Sequence, residues 1–219
     1  PSFTKIRHII TISIPFATES LVFNGGKIIM QILIVSLGTQ NIAANAIAVS
    51  WVQLSEIIPS ALSTSLVPIV GQCIGRDNIK DARKLTKSFV LLGCAAFLTV
   101  DLLLLPFFNV GMSLFNPPAG VLPLIFQIFL IYIVTHFLFW SISFILPAAL
   151  RAAGDAKFTT AVSLLSMWLY RIGMGYFFGI YLGYGLLGLF AVTCSEWALR
   201  GTIFYLRFRG NKWYANKLI

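Results

Sequence analysis

The run from Ile9 to Ser36, IITISIPFATESLVFNGGKIIMQILIVS, is long and apolar enough to cross a bilayer, yet it carries Pro15, Glu19 and Lys27 in its interior. Spanning takes about 20 mostly apolar residues. An unpaired charge at that depth costs from about 2.5 to more than 10 kcal/mol, so intramembrane charges face protein or a water-filled cavity. Pro15 removes a backbone hydrogen bond and bends the helix, and a neighbouring helix or water can meet the freed carbonyl. A kink, an acid at depth and the Gly25-Gly26 pair in one span predict a helix that moves. Glu19 is then either the acid that the motion serves or a structural hydrogen-bond partner.

The rest of the chain has the same character. It is 58% hydrophobic and 11% charged, whereas a soluble domain averages about 25% charged. Apolar runs separated by short polar breaks predict six transmembrane helices, at about 9–36, 43–72, 86–108, 121–150, 158–181 and 185–207. The runs lack the two-residue alternation of a membrane barrel. The fold class expected is therefore all-α integral membrane, with the lipid bilayer as its surroundings and residues 1–219 as a single unit.

A net charge of +9 would suit nucleic acid if it lay on one polar face, but it lies at segment ends, so no nucleic-acid partner is expected. Lys5 and Arg7, then Arg76, Lys80, Arg83, Lys84 and Lys87, then Arg151 and Lys157, then Arg207, Arg209, Lys212 and Lys217 all mark one side. The loops on the other side carry no Lys or Arg. Positive ends stay in the cytoplasm, which predicts a multi-pass protein of the plasma (cytoplasmic) membrane with both ends of this segment cytoplasmic. Phe3 to His8 lead into a span too long for the apolar region of a signal peptide, and none is expected. Because the chain begins at Pro1 and not Met, sequence upstream is expected.

Several other polar residues sit inside the apolar runs. Glu56 lies near the middle of the second, with Pro59 close behind and Ser60-Ala-Leu-Ser-Thr-Ser65 offering hydroxyls to a cavity. It is either a coupling acid or a helix-packing partner. Asp101 falls towards the outer end of the third, counting 1.5 Å per residue from Lys87. His136 and Trp140 are one turn apart in the fourth; an imidazole whose unperturbed pKa is near 6.5 handles protons, although a lone histidine among apolar residues also serves packing. Arg171 is near mid-membrane in the fifth and needs a partner, with Glu19, Glu56 or a carbonyl as the candidates. Glu196 and Arg200 stand at i, i+4 in the sixth and form a structural pair by mutual neutralisation. Between the second and third runs, Asp77 or Asn78 is placed to cap the next helix.

The three cysteines, Cys73, Cys94 and Cys194, are far apart and show no metal spacing, so no metal site and no cofactor are expected. With only His8 and His136, the chain lacks the clustered groups of a membrane enzyme, and no catalytic residue is assigned.

Five stretches together resemble the multidrug and toxic compound extrusion (MATE) family of transporters: IPFATESLVFNGGK, VGQCIGRDNIKDARK, LPAALRAAGDAKF, MWLYRIG and SEWALRGTIFYLRFRGNKW. The family's twelve-helix, two-lobe plan implies that this chain is similar to the C-terminal lobe, helices seven to twelve, and that an N-terminal six-helix lobe of the same protein is its partner. The resemblance implies secondary antiport, the export of amphipathic or cationic small molecules in exchange for H+ or Na+. Glu19 matches the family's seventh-helix carboxylate. Where several branches carry a tenth-helix aspartate, this chain has Trp140, with His136 a turn earlier. That departure argues against a sodium site here, since hard cations take several oxygen ligands. Glu19, Glu56, His136, Trp140 and Arg171 are the candidate coupling or substrate-binding residues. The alternatives are a lipid-linked precursor flippase of the same superfamily, whose cleft would be cationic, and a non-transporting fragment.

The charge asymmetry makes orientation testable. A single cysteine at Gln40 should react with an impermeant thiol reagent from outside intact cells and one at Asn78 should not; the reverse pattern would invert the topology.

Overall fold

In an apolar solvent every backbone N–H and C=O must find its partner within its own segment, and the chain meets that demand with helices. The computed structural model describes the backbone of residues 3–118 and 120–214 and the side chains of residues 20–118 and 120–214. Helix α1 (Phe3–Ser36) turns at Gly38, whose φ of +96° is open to glycine, into α2 (Thr39–Gly75). Then come α3 (Ile79–Leu104) and the short α4 (Phe108–Phe115). Helix α5 (Leu122–Thr135) passes through a π turn, His136–Trp140, into α6 (Ser141–Ala152). Helix α7 (Ala156–Leu165), a π turn at Ser166–Arg171, α8 (Ile172–Gly175) and a π turn at Tyr176–Tyr181 form the next rod. Helix α9 (Gly185–Arg209) and a 3-10 turn, Lys212–Tyr214, end the described chain. Thr39–Gly75, Ile79–Leu104 and Leu122–Ala152 are long and apolar enough to cross a membrane. No strand occurs among the described residues.

Helices α1 and α2 begin several residues before the expected 9 and 43, and the third helix departs from expectation at both ends. The third helix starts at Ile79 and not near residue 86, because Asn78 caps it: its side-chain oxygen accepts the Asp81 N–H at 3.2 Å and its amide donates to Asp81 Oδ2 at 2.6 Å. It stops at Leu104 and not at 108, since Pro106 has no N–H to continue the ladder. Then comes α4, which falls almost wholly in the stretch between residues 109 and 120 that the sequence reading takes as a loop. Phe108 of α4 stacks on Phe129 with ring centroids 5.8 Å apart, and Gly111 meets the Trp51 ring.

Helix α2 packs on α3, α5 and α6, and α6 in turn on α3 and α9, so α2 and α6 form the centre of the bundle. Small residues permit close approach. A Cβ on Gly93 of α3 would lie 2.8 Å from Ser141 Oγ of α6, and one on Gly188 of α9 would lie 3.1 Å from the carbonyl oxygen of Phe178.

At the basic end of the bundle the polar connections brace one another. Arg83, in the polar run before the third apolar segment, donates to the carbonyls of Phe208 (3.0 Å) and Gly210 (2.7 Å) and to Asn211 Oδ1 (3.1 Å). Its guanidinium also lies 5.6 Å from the ring centroids of Phe208 and Trp213. Arg207 makes a bidentate pair with Asp155, 2.6 and 2.9 Å, joining the end of α9 to the start of α7. Three separated stretches that carry the family resemblance thus meet at one end of the fold.

The tight packing of α9 gives a stability prediction. Gly188→Val places methyls against backbone that cannot swing aside and should cost about 1–3 kcal/mol, seen as a lower melting temperature of the detergent-solubilised protein, whereas Gly71→Ala, with open space around it, should not.

Candidate functional site

Two charged clusters lie inside the bundle. In the first, His136 is fully buried at the start of the π turn between α5 and α6. Its Nδ1 is 3.3 Å from Asp101 Oδ2 of α3, and its Nε2 is 3.6 Å from Glu56 Oε1 of α2. Trp140, also buried, donates from Nε1 to the same Glu56 oxygen at 3.2 Å. Rings hold the imidazole: Phe97 at 4.3 Å between centroids, Tyr132 edge-on at 5.2 Å and Trp197 stacked at 6.0 Å. Asp101 is 1% exposed, while the Glu56 side chain is 30% exposed. Glu56 is therefore the cluster's opening to the surface.

The order of acid, imidazole and acid across three helices has a chemical meaning. With an imidazolium between two carboxylates the cluster holds one net negative charge, and one further proton makes it neutral. Asp101 Oδ1 and His136 Nε2 are buried without a hydrogen-bond partner, so acceptor or donor capacity remains. The sequence reading places Asp101 near the outer interface. It lies one turn from the end of α3, and His136 on the facing helix covers it, a neighbour that no one-dimensional count reports.

In the second cluster Glu196 of α9 is fully buried. One carboxylate oxygen pairs with Arg171, and the other accepts from Ser166 Oγ at 2.6 Å and lies 3.5 Å from Arg200 Nη1. Arg200 Nε donates to Ser143 Oγ at 2.8 Å, and its guanidinium sits 4.4 Å from the Phe144 ring centroid. Arg171 thus pairs with Glu196 and not with Glu56, which corrects that expectation. A π turn closes i→i+5 bonds and brings residues five apart to one side; Ser166 and Arg171 share Glu196 through such a turn. Arg200 does not neutralise Glu196 alone, because two guanidiniums share one acid. The Glu19 side chain lies outside the described residues.

Exposed polar residues mark one face. Ser20, Asn24, Lys27 and Gln31 recur every three or four residues on α1, and Gln53, Ser60 and Thr64 with half-buried Glu56 do so on α2. Such stripes are unsuited to lipid. Between them a cavity of about 340 Å³ is lined by Lys27, Gln31, Asn45, Gln53 and Arg171, with aromatic walls that include Trp197.

Comparison with known proteins follows this geometry. The MatE family model matches residues 15–177. The chain is 29% identical over 213 residues to the uncharacterized transporter YisQ of Bacillus subtilis, covering 95% of this chain and 46% of that protein. It is 21% identical to a probable multidrug resistance protein NorM of Thermotoga maritima, covering 97% of this chain and 46% of the relative. The chain therefore spans about half the length of these relatives. Among solved structures, an outward-facing and an inward-facing MATE transporter of the MOP superfamily each match with a TM-score of 0.81, at 15% and 14% identity. Each match covers 95% of this chain and 47% or 48% of the transporter. A MOP superfamily transporter from Pyrococcus furiosus, described as having a binding pocket of reverse polarity, matches with a TM-score of 0.79 at 14% identity over 95% of this chain and 47% of its own.

The second cluster should behave as structure. Glu196→Gln leaves two guanidiniums in the bundle without their carboxylate, and removing one partner of a buried ion pair costs about 3–5 kcal/mol. Its abundance in membranes should fall severely, by immunoblot, and normal abundance with lost transport would move Glu196 into the coupling machinery instead.

Proposed function

The chain belongs to the MatE family of multidrug transporters, and from that premise we propose that it is the C-terminal lobe of a secondary antiporter. In this reading the six rods cross the plasma membrane with both ends cytoplasmic, an N-terminal six-helix lobe faces the polar stripes of α1 and α2, and the space between the lobes is the substrate cleft. Amphipathic compounds, including cationic ones, leave the cell as H+ enters. The reading is supported by the family match, by the polar stripes and by a fold that resembles about half of an outward-facing and about half of an inward-facing transporter with the same TM-score. A lobe whose shape suits both states moves between them as a unit, which is how alternating access by rocking works.

The observation that carries the coupling proposal is the buried Asp101–His136–Glu56 array with one member open to the polar face. Unprotonated Glu56, held in place by the N–H of buried Trp140, attracts a cationic group in the cleft. A proton entering the array removes the net negative charge and with it that attraction. The drug and the proton then compete for one charge, and a lobe that rocks only when one of them is bound exchanges the two. His136, fixed by Asp101 on one side, passes the charge change into the bundle rather than meeting the drug itself. Glu19, at the family's seventh-helix position, is a second acid for the same cleft. A lipid-linked precursor flippase is the second reading, and Lys27 and Arg171 in the cavity are the observation that favours it.

Everted vesicles containing the full-length protein test coupling. Glu56→Gln should reduce export driven by a pH gradient by about tenfold or more, a loss worth at least 1.4 kcal/mol, with abundance near normal; Asp101→Asn should flatten the dependence of export on pH. Wild-type rates in Glu56→Gln under a proton gradient, or restoration of its export by a sodium gradient, would place the proton site elsewhere.

A further inference from the structure

The cavity between α1, α2 and α9 has a polarity that suits no simple cation. Two charged side chains line it among the described residues, and both are cations. Lys27 is exposed, with Nζ 5.3 Å from the Phe23 ring centroid, and it pairs with no carboxylate among the described residues. The Arg171 side chain, 11% exposed, spends one nitrogen on Glu196 and leaves Nε buried without a hydrogen-bond partner. Glu196 does not offset Lys27 as well, since its oxygens already serve Arg171, Ser166 and Arg200.

We propose that this cavity binds the anionic group, carboxylate or phosphate, of an amphiphile whose apolar body lies against its aromatic wall. The proposal rests on the export reading and narrows its substrate class from cationic to zwitterionic compounds, whose cationic group keeps Glu56 as its partner. Lys27 supplies a mobile ammonium at the mouth, and Arg171 a guanidinium held in place by Glu196. The amides of Gln31, Asn45 and Gln53 provide hydrogen bonds for the remaining oxygens, and Trp197 a flat apolar surface. Glu56 sits one turn past Gln53 on α2, about 5 Å along the helix. A zwitterion therefore finds a partner for each of its charges on neighbouring turns, whereas a pure cation meets Lys27 and Arg171 as repulsion. Specificity then follows from an unfavourable element as well as a favourable one.

Rhodamine B and its ethyl ester share one aromatic body and differ in a free carboxylate, so they isolate the anionic group. In vesicles carrying the full-length protein, Lys27→Gln should weaken export of rhodamine B by about tenfold, the size of one lost charge-assisted hydrogen bond, and leave export of the ester, a pure cation, at or above its wild-type rate. Lys27→Arg should restore rhodamine B. Equal loss for both dyes, or no loss for either, would overturn the site. Should the wild-type protein export neither dye, the export reading fails, and fluorescence anisotropy of rhodamine B on the purified full-length protein decides the site by itself. About tenfold weaker binding in Lys27→Gln than in wild type supports the site, and equal binding overturns it. Competition against bound rhodamine B identifies the source of the anion. Displacement by dodecyl phosphate at lower concentration than by dodecanoate assigns the cavity to a lipid phosphate, and the opposite order assigns it to a carboxylate substrate.

Discussion

A charge within an apolar bundle is stable only beside its opposite or a matched hydrogen bond, and this constraint sets the arrangement of the two buried charged clusters in the described fold. Glu196 ties the Ser166–Arg171 turn to α9, and Arg200 ties α9 to α6 through Ser143. Asp101, His136 and Glu56 tie α3, α5 and α2. The two clusters share a wall of rings, because Trp197 stacks on His136 and meets Phe144 edge-on at 5.6 Å, and Phe144 lies under Arg200. Loss of any one partner would leave the others uncompensated, so the bundle has few ways to rearrange internally. That stiffness is what a lobe needs if it is to rock as one body.

Against that stiffness stand the π turns. Each is a local departure from α-helical spacing, and such turns recur at functional sites. One begins at His136 and ends at Trp140, and another ends at Arg171. Both therefore fall where a side chain must meet a partner on another helix. At these two turns the poorer backbone geometry coincides with a polar side chain meeting its partner, whereas the third, Tyr176–Tyr181, carries no charge.

Much of this was legible in the sequence for a simple physical reason: lipid makes hydrophobicity almost a direct record of the fold. Apolar run length located the long helical rods, and Asn78 was readable as a cap because a polar residue before an amphipathic run has few other uses. Contacts between helices were not legible. Arg171 had three candidate partners by depth alone, and the actual one, Glu196, was already assigned to Arg200 by its i, i+4 spacing, a local rule that ignores a second guanidinium arriving from another helix. Asp101 was undervalued because depth does not reveal cover. Helix α4 was missed because residues 109–120, which include the run Asn116, Pro117 and Pro118, read as a loop and are too few to cross a bilayer.

The remaining polar residues gain meaning from the same constraint. Gln31, Asn45, Gln53 and Lys27 have no charge partner among the described residues, yet they stand on helices too apolar for a soluble surface. A charge that the bundle leaves unpaired at this depth needs water or a ligand, since the alternative is a cost of several kcal/mol. In the cluster around His136 the half-buried Glu56 is the member open to the surface, and in that around Glu196 the member that lines the cavity is Arg171. What the fold presents to the proposed cleft is therefore a small remainder of opposite signs on adjacent turns. On that proposal such a surface would discriminate by where a molecule carries its charges, and the aromatic wall beside it would ask little about the rest of the molecule.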